Sequence, residues 1–391
     1  MTEDHRLLDF ATDRQAELLK AYWKYGSDTK VSEVFNCARS TVYDARHAVL
    51  KKATERGYSP DHDMVHDSPE GFYINGVSTL YNGDGEVVSQ WVKSSKEREE
   101  LYNKIKLFVD ELSAEIVPVK EIGLDHITDS DIMCVYPMAD LHIGMYAWLE
   151  ETGNDYDCDI AETLVLNAMK RLIDSAPPSK YALIAGLGDW FHSDTVENKT
   201  MKAGNILDVD TRWQRVFRIG VRIKKMCIEM ALKKHENVHV IIASGNHDQH
   251  TSYALSLLMN AYFEKNDRVY IDHGVDAFRY YVFGKNLIGI THGLVKDSKL
   301  PGIMAADRSE DWGKTKHRVW FIGHKHQHMI RDYPGCTVEM FRTLAGKDAW
   351  TSSSGFRSER DMQRIVMHKE YGEVERARVS VQMIEENIKK Y

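Results

Sequence analysis

The hydrophobic pattern of the first 57 residues is that of short amphipathic helices. The segment TDRQAELLKAYWKYG, which starts at Thr12, repeats apolar residues at helical spacing and opens with a Thr-x-x-Gln capping box. DTKVSEVFN predicts a second, shorter helix. ARSTVYDARHAVLKKATERG predicts a third, with Ser40 or Thr41 as its N-cap and Gly57 as its end. Residues 1–57 therefore predict a small all-helical module.

From residue 58 onward the pattern changes to the alternation that strands show. GFYINGVSTLYNGDGEVVSQWVKSS alternates apolar and polar residues on both sides of Gly83-Asp84-Gly85, which is typical of a β-hairpin. The charged segment SKEREELYNKIKLFVDELSAEI then predicts an amphipathic helix that leads into the next region. We assign the hairpin and this helical linker to residues 58–130.

Strand and helix patterns alternate over residues 131–391, which predicts a layered α/β domain. Its last segment, RIVMHKEYGEVERARVSVQMI, predicts an antiparallel hairpin that turns at Tyr371-Gly372. Five apolar, strand-like segments in this domain are each followed by aspartate, histidine or asparagine. The residues in question are Asp140, His142, Asp189, His192, Asn246, His247, Asp248, His292, His324 and His326.

These polar strand ends predict a metal site. Residues just beyond the carboxyl ends of parallel strands meet at one edge of a sheet, where ligands bind. In the pairs Asp140-x-His142 and His324-x-His326, alternate residues would project to the same side of an extended backbone. Any one of these motifs alone is more often an ordinary polar turn, but their joint occurrence favours one cluster. Oxygen and imidazole ligands without sulfur suit Mn²⁺, Fe²⁺, Zn²⁺ or Ni²⁺.

Composition and charge narrow the class of protein. The chain has 43% hydrophobic and 28% charged residues, which is ordinary for a globular protein. No apolar run approaches the length of about 20 residues that a membrane span needs, and the N-terminus lacks a signal-peptide pattern, so we expect a cytoplasmic protein without membrane association. The net charge of −8 argues against coating DNA by bulk electrostatics but allows a local basic face. Five scattered cysteines predict reduced thiols.

The order of the motifs, D-x-H, GD-x-x-H, GNHD, a lone histidine and GH-x-H, resembles the signature of calcineurin-like metallophosphoesterases over about residues 132–330. The resemblance implies a β-sandwich flanked by helices in four α/β/β/α layers, with two divalent metals, preferably Mn²⁺, that share one carboxylate. It implies that one metal is held by Asp140, His142, Asp189 and His326, and the other by Asp189, Asn246, His292 and His324. It also implies that a metal-bridging hydroxide attacks phosphorus. His247, oriented by His192 or Asp248, would then stabilise the transition state or protonate the leaving oxygen.

Two features favour DNA as the substrate. The GD-x-x-H form, with His192 in the last position, resembles the nucleases that process DNA ends in double-strand-break repair. The segment TKVSEVFNCARSTVYDARHAVLKK is similar to a helix-turn-helix whose turn, at Asn36-Cys37-Ala38, lacks the usual glycine. Val42 would face inward and the following hairpin would form a wing. The side chains that we expect to contact DNA are Arg39, Ser40, Thr41, Tyr43, Arg46, Lys51 and Lys52.

Together these features predict a two-metal-dependent DNA endonuclease or exonuclease. The combination of modules also resembles bacteriophage proteins, which would place the protein in the host cytoplasm. No Walker motif occurs in the chain, so ATP-driven work would require a separate ATPase partner. Two alternatives stay open. One is a nucleotide phosphodiesterase or phosphatase whose N-terminal module makes it a homo-oligomer. The other is a non-enzymatic DNA-binding regulator, against which the complete ligand set argues.

Overall fold

The computed structural model describes residues 4–55, 58–59, 64–65, 72–81, 87–96, 107, 109, 116–119, 122–194, 197–200, 204, 206–353, 355 and 357–388. The chain divides into two compact units, Met1–Lys104 and Ile105–Tyr391. Gly57, the turn Gly83-Asp84-Gly85 and most of the predicted linker helix lie outside the described residues. The domain boundaries at residues 57 and 130 stay a prediction.

The described part of the N-terminal unit has three α-helices: α1 (Asp13–Tyr25), α2 (Asp28–Val34) and α3 (Arg39–Glu55). The predicted capping box opens α1, since the Thr12 hydroxyl accepts from the Gln15 backbone while the Gln15 side chain accepts from the Thr12 backbone at 3.0 Å. A short 3₁₀ helix, His5–Phe10, precedes α1. Apolar residues of the helices form two small buried clusters, one around Leu19 and Val49 and one around Leu18, Val31 and Val42.

In the turn between α2 and α3, an asparagine takes the conformation for which glycine is usually required. Asn36 has a φ of 47°, in the left-handed region that asparagine tolerates better than most residues. The prediction that Ser40 or Thr41 caps α3 is wrong, because the helix starts at Arg39. The Thr41 N–H donates to the Ala38 carbonyl at 3.0 Å. Ser40 and Thr41 therefore lie inside the first turn of α3. Val42 is fully buried, as predicted.

Two antiparallel strand pairs complete the described part of this unit. Their strands are β1 (Tyr58–Ser59), β2 (Met64–Val65), β3 (Phe72–Tyr81) and β4 (Val87–Lys96). β1 pairs with β2, and β3 pairs with β4 over ten residues on each strand. The long pair confirms the predicted β-hairpin.

The C-terminal unit is built on two β-sheets. Its strands are β5 (Asp129–Met138), β6 (Ser179–Gly186), β7 (Asn237–Ile242), β8 (Val269–Asp272), β9 (Arg279–Phe283), β10 (Asn286–Ile290), β11 (His317–Ile322), β12 (Met329–Tyr333), β13 (Cys336–Met340), β14 (Asp361–His368) and β15 (Gly372–Ser380). The larger sheet has the order β15-β14-β5-β6-β7-β8, and the smaller has the order β12-β13-β11-β10-β9. β5 to β8 run parallel, as do β10, β11 and β13.

The described helices of this unit are α4 (Leu149–Thr152), α5 (Cys158–Asp174), α6 (Trp213–Leu232), α7 (Gln249–Phe263), α8 (Leu300–Asp307), α9 (Ser309–Lys314), α10 (Ala349–Ser353) and α11 (Val381–Ile388). The long helices α5 and α6 pack on the outer face of the larger sheet, and α8 packs on that of the smaller sheet. Alternate residues of β5 show the layering: Cys134 and Tyr136 pack against α5 and α6, whereas Met133 and Val135 pack against the smaller sheet. On the far side, Trp320 packs against α8. The predicted four-layer α/β/β/α sandwich is confirmed.

The C-terminal end of the chain and the cysteines also agree with the sequence pattern. β14 and β15 form the predicted antiparallel hairpin, and Gly372 has a φ of 80° at the turn. All five cysteines are free thiols. Among the described residues, no helix combines the length and apolar character that crossing a membrane requires.

Candidate metal centre

The seven predicted metal ligands lie together where parallel strands of both sheets end. Asp140 and His142 follow β5, Asp189 follows β6 and Asn246 follows β7, all in the larger sheet. His292 follows β10, and His324 and His326 follow β11, in the smaller sheet. Carboxylate and imidazole groups from these turns come close enough to hold a cation in two separate groups. The strand ends therefore meet as the sequence predicts.

The first ligand group contains Asp140, His142 and His326. The Nε2 atoms of His142 and His326 are 3.1 Å apart, and His326 Nε2 lies 3.7 Å from Asp140 Oδ1. Nitrogen and oxygen ligands at about 2.0–2.2 Å from one cation lie about 3 Å from each other. The spacing of these atoms thus fits a single divalent ion.

The second ligand group surrounds His292. Its Nε2 atom lies 3.1 Å from Asp189 Oδ2, 3.0 Å from Asn246 Oδ1 and 3.2 Å from His324 Nδ1. The other ring nitrogen, Nδ1, donates to the Leu187 carbonyl at 2.9 Å, which fixes the ring orientation in the way that ligand histidines usually require. This group also fits one cation.

Asp189 connects the two ligand groups. Its Oδ2 atom is 3.1 Å from His292 Nε2 in the second group and 4.0 Å from His142 Nε2 in the first. Its other oxygen, Oδ1, accepts a hydrogen bond from the His247 backbone at 2.8 Å. A carboxylate in this position is suited to serve two cations.

Five of the seven predicted ligands have a left-handed backbone. The φ values are 52° for Asp140, 44° for His142, 51° for Asp189, 80° for His324 and 51° for His326. The predicted extended backbone is therefore wrong for these pairs: β5 ends at Met138 and β11 at Ile322, and the ligands lie on tight turns beyond them. Each such residue costs about 1–2 kcal/mol, so strain is concentrated at this site.

Three glycines make room for the carboxylates and one imidazole. A Cβ atom at Gly245 would collide with the Asp189 carboxylate, and one at Gly323 would collide with the Asp140 carboxylate. At Gly188 it would collide with the ring of His292. The glycines beside the ligand motifs are therefore required by close packing, not only by turn geometry.

Asp248 positions the backbone of the site. Its buried carboxylate accepts hydrogen bonds from the N–H groups of Trp190 at 2.7 Å and Gly245 at 2.8 Å, and from the Ser252 hydroxyl at 2.6 Å. It thereby joins the turn after β6 to the turn after β7. Of the two residues expected to orient His247, His192 contacts its ring, through the backbone carbonyl that accepts from His247 Nδ1 at 2.9 Å.

His192 packs against the first ligand group. Its Nδ1 atom is 3.2 Å from His142 Nδ1, and its ring stacks on that of His247 with centroids 5.3 Å apart. Its Nε2 atom is buried and finds no hydrogen-bond partner among the described residues, which is rare for a polar atom in a folded protein. The ring nitrogens of His142, His192 and His247 also lie within 4.8 Å of one another, so the two further histidines border the first ligand group closely.

The protonation states favour cation binding. Burial lowers the pKa of both His324 and His326 to about 4, so these rings are neutral and ready to act as ligands. Burial also raises the pKa of Asp140 to about 8. Burial alone would lower the pKa of His292, but the charges of Asp189 and Asp140 raise it to about 10. Without a cation, the cluster keeps protons to balance its carboxylates, and the donor set fits divalent metals.

Six of the seven predicted DNA-contacting residues are exposed on α3: Arg39, Ser40, Thr41, Tyr43, Lys51 and Lys52. Arg46 is different, because its guanidinium is buried and donates to both oxygens of Asp28, at 2.8 and 2.9 Å. It also lies 3.6 Å from the centre of the Tyr22 ring. Arg46 therefore joins α2 to α3 and is not part of the exposed basic face that the sequence predicts.

Lys224 is a charged residue near the site that the sequence analysis missed. It is fully buried on α6, with Nζ 3.5 Å from the centre of the Trp190 ring and 3.6 Å from Met138 Sδ. Burial lowers its pKa to about 8. The available signal was its helical position, because Lys224 lies three or four residues from Gly220, Cys227 and Ile228 on the apolar face. It supports the turn that carries Asp189.

Comparisons with known proteins give fold-level likeness only. No protein family model matches the chain, and no curated protein matches it. Similar solved structures include a predicted phosphoesterase from Streptococcus pneumoniae, with 11% identity and a TM-score of 0.26 over 64% of this chain and 98% of that one. Vps29 from Entamoeba histolytica, solved with zinc, has 12% identity and a TM-score of 0.27 over 63% and 99%. An archaeal phosphodiesterase has 12% identity and a TM-score of 0.32 over 64% and 100%. Scores this low carry no argument about activity.

Proposed function

We propose that the chain is a two-metal-dependent phosphodiesterase. The observation that supports this most strongly is the position of Asp189 between two groups of oxygen and nitrogen ligands. Two cations sharing a carboxylate are typical of enzymes that hydrolyse phosphate esters. The strain and close packing around the ligands are also what a functional site requires, and a surface turn does not.

The residues divide naturally between two cations. Asp140, His142, Asp189 and His326 would hold one, and Asp189, Asn246, His292 and His324 would hold the other. The mixture of oxygen and imidazole ligands suits Mn²⁺, with Fe²⁺, Zn²⁺ and Ni²⁺ as further candidates. When bound, the ions would supply Lewis acidity to the phosphate and acidify a bound water.

We propose that His247 protonates the leaving group. Its Nδ1–H donates to the His192 carbonyl, so Nε2 is the ring nitrogen that would exchange a proton with the departing oxygen. The backbone of the same residue donates to Asp189, which fixes the ring close to the ligand groups. Asp248 holds the two turns that carry Asp189 and His247 in register.

Replacing His247 by alanine should lower kcat by about 10²–10⁴-fold because the proton donor is lost. Both cations should stay bound, since the ligand side chains remain. Hydrolysis of a dinucleoside phosphate, whose alkoxide leaving group needs a proton, and metal content by mass spectrometry would measure the two effects. His273→Ala, an exposed histidine outside the cluster, is the matched control. Loss of metal from the His247 variant would contradict this assignment.

We further propose that the substrate is DNA. Support comes from the exposed basic and aromatic residues of α3, among them Arg39, Tyr43 and Lys52, on a helix that follows a short turn. Purified protein with Mn²⁺ should cut linear, circular or single-stranded DNA, and a chelator should stop the reaction. Cleavage of the circular substrate would identify an endonuclease. Turnover of the small diester with DNA left intact would instead support a nucleotide phosphodiesterase.

Two substitutions on α3 should separate structure from DNA contact. Arg46→Ala should lower the free energy of unfolding of the N-terminal unit by about 2 kcal/mol or more, because Asp28 is left buried without its cation. Lys52→Ala should leave stability unchanged. It should weaken DNA binding and reduce the salt dependence of log K by about 0.9, the value for one lost phosphate contact. Thermal unfolding and fluorescence anisotropy at several salt concentrations would test both; an unchanged DNA affinity for Lys52→Ala would argue against α3 as the DNA-binding helix.

A further inference from the structure

A cleft of about 210 Å³ opens directly beside the candidate metal centre. Its lining includes His326, a member of the first ligand group, and Asn154. The rest is formed by the turn after β13, by α10 and by the segment before β14. A molecule whose phosphate lies at the ligand groups would therefore extend into this cleft without leaving the protein surface.

The cleft is positively charged. Lys347, Arg357 and Arg360 line it, and Glu359, the carboxylate among the lining residues, pairs with Arg342 at 3.2 Å. Arg360 also pairs with Glu385 of the adjoining cleft at 3.7 Å, so the cleft keeps a net positive charge mainly through Lys347 and Arg357. Burial and the neighbouring charges of Arg357 and Arg360 lower the pKa of Lys347, so both guanidinium groups lie close enough to Lys347 to repel its charge. An anion bound among them would relieve this repulsion.

The shape and lining of the cleft indicate the size of that anion. A volume of about 210 Å³ is smaller than the range of about 300–1,000 Å³ typical of drug-sized ligands. The hydroxyls of Thr351 and Ser358 lie beside the three cations, and hydroxyl, lysine and arginine groups are the usual contacts of nucleic-acid phosphates. A single phosphate with part of a sugar fits these dimensions and this chemistry.

Beyond Arg360 the surface changes sign. A wider cleft of about 600 Å³ shares Asn154 and Arg360 with the first and continues away from the ligand groups. It is lined by the carboxylates Asp155, Asp159 and Glu385, which would repel a further phosphate. The basic cleft thus has room for one phosphate, and the groove continues past it for a part of the substrate that carries no negative charge there.

We propose that Lys347, Arg357 and Arg360 bind the phosphate next to the scissile one on a nucleic-acid strand. This inference rests on the proposed phosphodiesterase function, since it assigns the scissile phosphate to the ligand groups. Binding of the second phosphate positions the strand and adds affinity that a substrate with one phosphate does not gain. The cleft therefore selects for a strand over a small diester.

The experiment compares substrates with one and with several phosphates. Lys347→Met and, separately, Arg357→Met should raise KM for a short single-stranded oligonucleotide about tenfold. Both variants should leave hydrolysis of bis-p-nitrophenyl phosphate unchanged, and Lys347→Arg should restore most of the affinity. Lys314→Met, an exposed lysine on α9, is the control and should change neither substrate. Unaltered thermal unfolding of the variants confirms that they are folded.

A second measurement does not depend on turnover. With chelator present, binding of a labelled oligonucleotide by the full chain should have a salt dependence of log K that is smaller by about 0.7 in each variant, the value for one lost single-strand contact. Absence of hydrolysis of any substrate by the wild-type protein would refute the proposed function, and the binding data would still test the cleft. Unchanged KM and salt dependence in both variants would overturn the inference. The inference would also be overturned if the variants lost as much activity on bis-p-nitrophenyl phosphate as on the oligonucleotide. It would equally be overturned if the variants lost activity only on a nucleoside triphosphate tested in the same assay.

Discussion

Replacing Asp189 by alanine should abolish hydrolysis of phosphodiesters, with a loss of at least about 10³-fold, since each cation would lose a ligand at once. Its Oδ2 atom lies 3.1 Å from His292 Nε2 and 4.0 Å from His142 Nε2, so no other single substitution is expected to disturb both groups as directly. Asp189→Asn should retain the acceptor for the His247 backbone but lose the charge, and it should fall between wild type and alanine.

Activity with Mn²⁺ and metal content per chain would measure this effect. Asp276→Ala removes an exposed aspartate outside the cluster and serves as the control. We expect the control to keep full activity and the Asp189→Ala protein to bind fewer than two ions. Full activity of the Asp189→Ala protein would contradict the proposal that the two cations share this carboxylate.

Mn²⁺ should raise the free energy of unfolding by more at pH 8.5 than at pH 6.5, and the difference should be at least about 2 kcal/mol. Burial raises the pKa of Asp140 to about 8, against about 3.9 in the unfolded chain. Above about pH 3.9 the folded protein therefore holds a proton that the unfolded chain has released. The contribution of this proton to the free energy of unfolding decreases as the pH rises and is lost once the pH passes about 8. His292, with its pKa raised to about 10 by Asp189 and Asp140 despite burial, contributes below about 6.5 and loses its contribution towards pH 10.

The metal-free protein should therefore be most stable near pH 6.5. Below that pH the sign reverses, because burial lowers the pKa of His324 and His326 to about 4 and the unfolded chain binds more protons between pH 4 and about 6.5. A bound cation replaces the protons of Asp140 and His292, so the metal-loaded protein should not weaken in the same way above pH 6.5.

Thermal unfolding at pH 6.5 and 8.5, with Mn²⁺ or with chelator, would test this prediction. Asp140→Asn is the informative variant, since without its carboxylate the pH dependence of the metal-free protein should become flatter. His273→Ala should behave as wild type. An equal effect of Mn²⁺ at both pH values would show that cation binding does not displace these protons.

The sequence predicts the fold and the ligand cluster well because both depend on local patterns. Alternation of apolar residues in β5 determines which residues face the helices and which face the second sheet. The carboxyl ends of parallel strands meet at one edge of a sheet. The proximity of His292 and Asp189 can therefore be predicted from the sequence, although they are 103 positions apart in the chain.

What the sequence could not supply was conformation and long-range pairing. Nothing in the residue types of Asp140 and His142 reveals that both have a positive φ. Arg46 carries the same charge as Lys52, but its partner Asp28 lies 18 residues earlier, so the ion pair that buries it is visible only in three dimensions. The contact of Asp248 with the turn after β6 spans 58 residues and escapes pattern analysis for the same reason.

Each ligand group takes side chains from both sheets of the sandwich. Asp140 and His142 come from the larger sheet and meet His326 from the smaller one, and Asp189 meets His292 and His324 in the same way. Cations bound there would cross-link the two sheets at one edge of the sandwich. The halves of the sandwich would then be unable to slide or part at that end while the ions are in place, and the geometry needed for hydrolysis would be kept by the same bonds that keep the layers in register.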